Sequence, residues 1–246
     1  MINLFVTCLV FFCSLNNLAF ASGNIKIIPY PQSLDITSEG ASSAPKNINH
    51  EDSIYFKNAQ DFFNPKSQDG RIILKNFPTY QQSRENTCGP AAGLMVLYYY
   101  GEKSYTEEKL SELMGTKPYP IGTSLFGMVE FFKNIGWKVQ SKLDHKRFDE
   151  YDDFKNFVIK NLSENTPIMV ENVEWGGHWR VIIGYDDMKT SSTLDDVIIM
   201  ADPYDTCDHD QDGYTVNNGE KFYSMWFDHS MLPEEQRDQP FIIAHP

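Results

Sequence analysis

Cysteine is scarce in this chain of 246 residues: Cys8, Cys13, Cys88 and Cys207 are all it has. The first two fall in an N-terminal apolar run, so at most one bond, Cys88 to Cys207, is open to the rest of the chain. Positive charge is also short. There are 21 lysines and arginines against 34 acids, a net charge of −13. Nucleic acid as the main partner is excluded, because phosphate binding needs a basic face. A polybasic anchor on an anionic membrane is excluded for the same reason. No repeat array is visible. Beyond the first residues no apolar run is long enough to cross a bilayer.

The first 21 residues read as a secretory signal peptide. The apolar run over 4–13 is too short for a membrane span, and Ala19-Phe20-Ala21 before Ser22 is a small-x-small cleavage site. No lysine or arginine precedes the run, so the α-amino group alone supplies positive charge there. The expectation is an exported protein, secreted or periplasmic, cut after Ala21 and free of the membrane thereafter. Residues 22–69 are rich in Ser, Asn, Pro and Lys and read as an irregular arm. The dense pattern of a folded domain runs over 70–246.

Within that domain a helix is expected after Cys88, ending near Gly101. Ser104 and Glu107 have the spacing of a capping box and open a second helix that stops at Gly115. Helical spacing of apolar residues marks 123–136 and 148–162. The period then changes. Residues 167–173 and 178–185 are strand-like around a Glu174-Trp175-Gly176-Gly177 turn, which is a hairpin. Residues 197–201 and 221–227 supply further strands. Helices first and an antiparallel sheet second is an α+β arrangement.

The segment Gln82 to Gly93 carries the chemistry. It places Cys88, followed by Gly89-Pro90-Ala91, where an extended stretch turns into an apolar helix. Proline suits a first helical turn. The positive end of a helix favours a negatively charged sulfur, the form that attacks carbonyls. Such a nucleophile needs a base, a group that orients the base, and donors for an oxyanion. His178 is the candidate base, at the start of an otherwise apolar strand. Asp202 is the candidate orienting acid, at the end of the next strand. Gln82, with the Cys88 amide, is the candidate oxyanion donor. The other histidines lie in the arm, in charged loops or near the C-terminus, without partner patterns. Trp175, Trp179, Tyr204 and Trp226 flank these positions, either as ordinary packing or as the wall of a peptide groove.

Taken in order, Gln82, Cys88-Gly89-Pro90-Ala91, Gly177-His178-Trp179 and Ala201-Asp202-Pro203 resemble the bacteriocin-processing (double-glycine) peptidases and their free-standing relatives, which are papain-like cysteine peptidases. The resemblance covers about residues 77–230. It implies a papain-like fold with the nucleophile at a helix N-terminus and the His and Asp on the sheet. It implies Cys88 as nucleophile, His178 as general base, Asp202 as its orienting partner and Gln82 as oxyanion donor. It also implies a peptide or protein substrate and no cofactor. The sequence shows no transporter segment, and Gly176-Gly177 reads as the turn before His178, not as a self-processing site.

Other readings stay open. A Cys88–Cys207 bond would block the nucleophile or lock it reversibly. Asp208, Asp210 and Asp212 with Gly213 have the spacing of the start of a calcium loop, although the glutamate expected at its twelfth position is absent. A secreted peptide-binding module braced by such a loop, without turnover, is one alternative. An acyltransferase or cell-wall amidase on the same fold is another.

Overall fold

The computed structural model describes residues 26–43, 60–207 and 210–246. The expected signal peptide and Asp208 lie outside these residues.

A mixed layer of helices packs on one antiparallel sheet. Its strands are β1 (Arg71–Ile73), β2 (Lys138–Ser141), β3 (Ile168–Asn172), β4 (His178–Asp186), β5 (Val197–Ala201), β6 (Tyr214–Asn218) and β7 (Phe241–His245). The order is β2-β7-β3-β4-β5-β6, and β1 pairs with the far end of β4 beyond the reach of β3. The helices are α1 (Cys88–Tyr99), α2 (Glu107–Leu113), α3 (Leu125–Asn134), α4 (Tyr151–Ser163) and α5 (Gly219–Ser224). This is the expected α+β class, with the architecture of a papain-like domain: one helix, carrying a cysteine at its N-terminus, laid on the sheet.

Helix α1 is apolar all round, and its residues 88–97 are all buried. A helix with no polar face must sit inside the molecule, and α1 packs against β4. Small residues on it let neighbours come close: a Cβ on Gly89 would lie 2.8 Å from the Thr123 side chain at the approach to α3. Gly101 and Gly115, with φ of 87° and 65°, end α1 and α2 as left-handed caps.

Two expectations fail. Residues 221–227 are not a strand; most of them belong to α5 and the turn after it. Phe222, Tyr223, Trp226 and Phe227 satisfy a helical period as well as an alternating one, and packing on α4 decides. The helix after Ser104 begins later, with Thr106 as its cap, the Thr106 hydroxyl accepting from Lys109 N–H at 3.2 Å. Glu107 does not reach back to close a capping box. It turns inward, 2 % exposed.

The segments preceding β1 run along the domain. Residues 27 and 79 form a parallel bridge, and Ala41 N–H donates to Gln82 C=O at 3.0 Å.

Candidate active site

Cys88 is the first residue of α1, so its backbone N–H is among those a helix leaves unpaired at its start. The preceding loop is held from within by Glu107 of α2. One Glu107 oxygen accepts from Ser83 N–H (2.9 Å) and the Thr87 hydroxyl, and the other accepts from the Tyr80 hydroxyl (2.9 Å). Burial, followed by the nearby Glu107 charge, pushes the Tyr80 phenol far above its usual range. Thr87 makes no side-chain cap to α1; its hydroxyl goes to Glu107 instead.

Strand β4 opens with His178. The hairpin pairs Asn172 with His178, and on the other edge Val181 stands opposite Ala201. One step beyond that last pair lie Arg180 on β4 and Asp202 just after β5. His178 and Arg180 share a face of the pleat, and both reach Asp202. His178 Nε2 lies 2.7 Å from Asp202 Oδ1, and Arg180 Nη1 lies 3.5 Å from Oδ2. Tyr204 N–H (2.9 Å) and the Thr215 hydroxyl (3.3 Å) also donate to the carboxylate. Arg180 is itself fixed by Glu174 (3.1 Å) and Asn172 (3.1 Å).

With Nε2 engaged by Asp202, Nδ1 is the ring nitrogen left for Cys88, which lines the same cavity. Burial by itself would depress the imidazole. The Asp202 carboxylate and the cysteine outweigh it and raise His178 to about 9. Burial by itself would raise Asp202. The His178 charge and hydrogen bond, then Arg180, lower it to about 2. The pair is a buried ion pair at neutral pH, with the proton on the imidazole.

Gln82 is 2 % exposed. Its Nε2 donates to Arg84 C=O at 2.7 Å, which leaves the second N–H of that nitrogen for a ligand; its Oε1 has no partner. Gln82, Cys88 and His178 line one cavity of about 160 Å³. The structure thus brings all four residues singled out in the sequence to one place: three on the cavity wall, and Asp202 behind His178.

Trp175, Trp179 and Tyr204 also line this cavity. The Trp175 ring stands edge-on to His178 at 5.1 Å and leans on Tyr204 at 5.3 Å, although Trp175 itself is 57 % exposed. Its φ of 50° is rare for a bulky side chain and marks a turn held in place by its neighbours. Trp226 is a correction. It lies in the core, stacked on Phe148, with its indole N–H on Pro240 C=O at 3.0 Å. Cys88 and Cys207 are both free thiols, the second exposed. Asp208 is outside the described residues, so the calcium-like loop is not defined as a unit. Among the described residues no cluster of acids, histidines and cysteines has the geometry of a metal site.

Sequence reasoning missed Arg180, Glu107 and Glu171. Glu171, on β3, lines the cavity and is buried. Burial first, then the neighbouring Asp228 and Cys88, raise its carboxyl well above the usual range. Burial also raises Asp228. The signal for Glu171 was a lone acid in a strand otherwise made of Ile, Met, Val and Asn.

The Peptidase_C39 like family model matches residues 74–229. The chain belongs to that family. Among solved structures it is similar to the peptidase domain of Streptococcus ComA, a bi-functional ABC transporter involved in a quorum-sensing pathway. The identity there is 21 %, over 69 % of this chain and 98 % of that one, with a TM-score of 0.47. It is also similar to a double glycine motif protease from an AMS/PCAT transporter, solved in complex with the leader peptide. That match has 17 % identity over 72 % of this chain and 96 % of the other, with a TM-score of 0.43. No curated protein shows significant similarity to the chain. This Peptidase_C39-like chain therefore has the family's cysteine peptidase fold.

Proposed function

We propose that the chain is an active cysteine peptidase that hydrolyses peptide bonds. The observation that carries the reading is a single imidazole that is bonded to a buried carboxylate and lines one cavity with a cysteine at a helix N-terminus. In this reading His178 already holds the proton given up by Cys88, and Cys88 Sγ attacks the substrate carbonyl as the thiolate. The oxyanion accepts from the free Gln82 Nε2 N–H and the Cys88 backbone N–H. The C–N bond breaks as His178 passes its proton to the leaving amine. Water, deprotonated by the same imidazole, then cleaves the thioester and restores the thiol. Asp202 keeps the ring's orientation and supports its charge, and Arg180 keeps Asp202 in place as a positioning residue.

We further propose that residues 1–21 direct export, so that the enzyme acts outside the cytoplasm. N-terminal sequencing of the exported protein should begin at Ser22.

The test of the main reading is hydrolysis of a diverse peptide library by the reduced protein, with Cys88→Ala and His178→Ala as controls. Turnover by wild type, lost in both variants while both stay folded, supports it. Hydrolysis retained by pure Cys88→Ala, or none by reduced wild type, overturns it.

A further inference from the structure

The cavity at Cys88 is lined by two acids, Glu85 and Glu171, and by no lysine or arginine. Glu85 is already engaged, its Oε1 accepting from Gly40 N–H at 3.1 Å. Glu171 is not. It is 3 % exposed, and its Oε2 finds no donor. No lysine or arginine among the described residues forms an ion pair with it.

Asp228 stands against it. Asp228 Oδ1 accepts from Leu232 N–H at 2.8 Å and lies 3.8 Å from Arg237 Nε, while Oδ2 has no donor. The two carboxyls meet over Gly177, the residue before His178. A Cβ there would fall 2.8 Å from Glu171 Oε1 and against Asp228 Oδ2. Two desolvated carboxyls, each with an oxygen that nothing donates to, are costly to hold. Without a partner the pair keeps a proton. A charged ammonium or guanidinium would replace that proton and donate to the free oxygen.

The mouth of the cavity suits the rest of such a group. Tyr119 (72 % exposed), Ile121 (52 % exposed) and Trp175 line it together with Met231. An open aromatic and aliphatic rim packs a long alkyl stem and favours a cation over a ring face. The net charge of −13 draws cationic peptides toward the protein.

We propose that Glu171, backed by Asp228, determines specificity by binding a lysine or arginine side chain of the peptide substrate next to the bond that is cut. This deepens, and rests on, the peptidase reading above.

The experiment uses quenched fluorescent peptides built on one sequence from the library. Arginine, lysine, norleucine or glutamate is placed in turn at the two positions on each side of the cut. At one position arginine and lysine should raise kcat/KM over norleucine by on the order of 10- to 100-fold, the worth of a hydrogen bond to a charged group. Glu171→Gln should bring that ratio close to one. Asp228→Asn, which leaves Glu171 in place, should lower it less. A basic preference that survives Glu171→Gln, or none at any position, overturns the inference and leaves the hydrolase reading standing. If the wild type cuts none of the peptides, the hydrolase reading falls, and binding of the same peptides to Cys88→Ala protein decides. Tighter binding of the arginine peptide than of the norleucine one, lost on adding Glu171→Gln, upholds the inference. Equal binding, or none, overturns it.

Discussion

Gln81 grips the loop that carries Asp202. Its Nε2 donates to Asp202 C=O at 2.8 Å and its Oε1 accepts from Asp205 N–H at 3.0 Å. The next residue, Gln82, donates its backbone N–H to Pro203 C=O at 2.7 Å. The proposed oxyanion donor and the proposed orienting acid therefore sit on two segments locked side by side. Gln81→Leu keeps the bulk and removes both side-chain bonds, leaving a buried C=O and N–H unpaired. We expect a loss of about 1–3 kcal/mol in stability. We also expect about a tenfold fall in kcat with KM within about twofold, because substrate contacts are untouched while Asp202 loses its place. Urea unfolding and steady-state kinetics on one cleavable peptide check both. A fall in stability with kcat unchanged would show the clamp to be only structural.

Glu107 does for Cys88 what Gln81 does for Asp202. Tyr80, Ser83 and Thr87 all donate to its buried carboxylate. Glu107→Ala leaves the Tyr80 hydroxyl and, in the loop between Gln82 and Cys88, the Ser83 N–H without an acceptor, while the Thr87 hydroxyl keeps only Arg84 C=O at 3.0 Å. The expected cost is about 3 kcal/mol. The alkylation rate of Cys88 by a peptide electrophile should also fall, since the sulfur's approach to His178 is set by that loop. Glu107→Gln, which keeps one acceptor, should recover part of both. Equal alkylation rates in wild type and Glu107→Ala would refute the link to the site.

Three of the four residues at the site were legible because each carries a local mark, and Gln82 followed from its place six residues before Cys88. Cys88 has Gly89 and Pro90 at a helix start, His178 has a glycine turn before a strand, and Asp202 closes a strand before Pro203. What was illegible has physical causes too. The residues of β3 are all buried, so no alternation separated Glu171 from its neighbours. Its partner Asp228 lies in a loop far along the chain, and only the fold brings them together. Glu107 has the spacing of a capping box, and nothing local says that tertiary donors will claim its carboxylate. Strands β2 and β6 are the outermost in the sheet order, and their burial patterns are mixed. Short runs of that kind are not distinguishable from loop by periodicity.

His178 gives a pH test with a definite sign. Its folded pKa, about 9, lies above the unfolded value of about 6.5. The ion pair with Asp202 therefore contributes fully below about pH 6.5, and the contribution is lost as pH rises through about 9. The shift corresponds to a stabilisation on the order of 3 kcal/mol. The stability gap between wild type and His178→Gln should be constant near pH 6 and shrink steadily toward pH 9.5. Urea titrations at half-unit steps measure it. A gap that does not change across that window contradicts the ion pair.

Glu171 should behave in the opposite way on mutation. Its folded carboxyl is raised, so from about pH 4.3 upward the unfolded chain releases a proton that the folded chain retains. Stability drains away as pH rises through that range. Glu171→Gln copies the neutral acid, cannot ionise when unfolded, and offers an N–H to the unpaired Asp228 Oδ2. The variant should match wild type near pH 4 and exceed it in stability at pH 7.5. A residue whose removal stabilises the fold while erasing substrate preference is held for binding, not for structure. Urea unfolding at the two pH values settles the sign: a variant less stable than wild type at pH 7.5 would make the Glu171–Asp228 pair a structural brace instead.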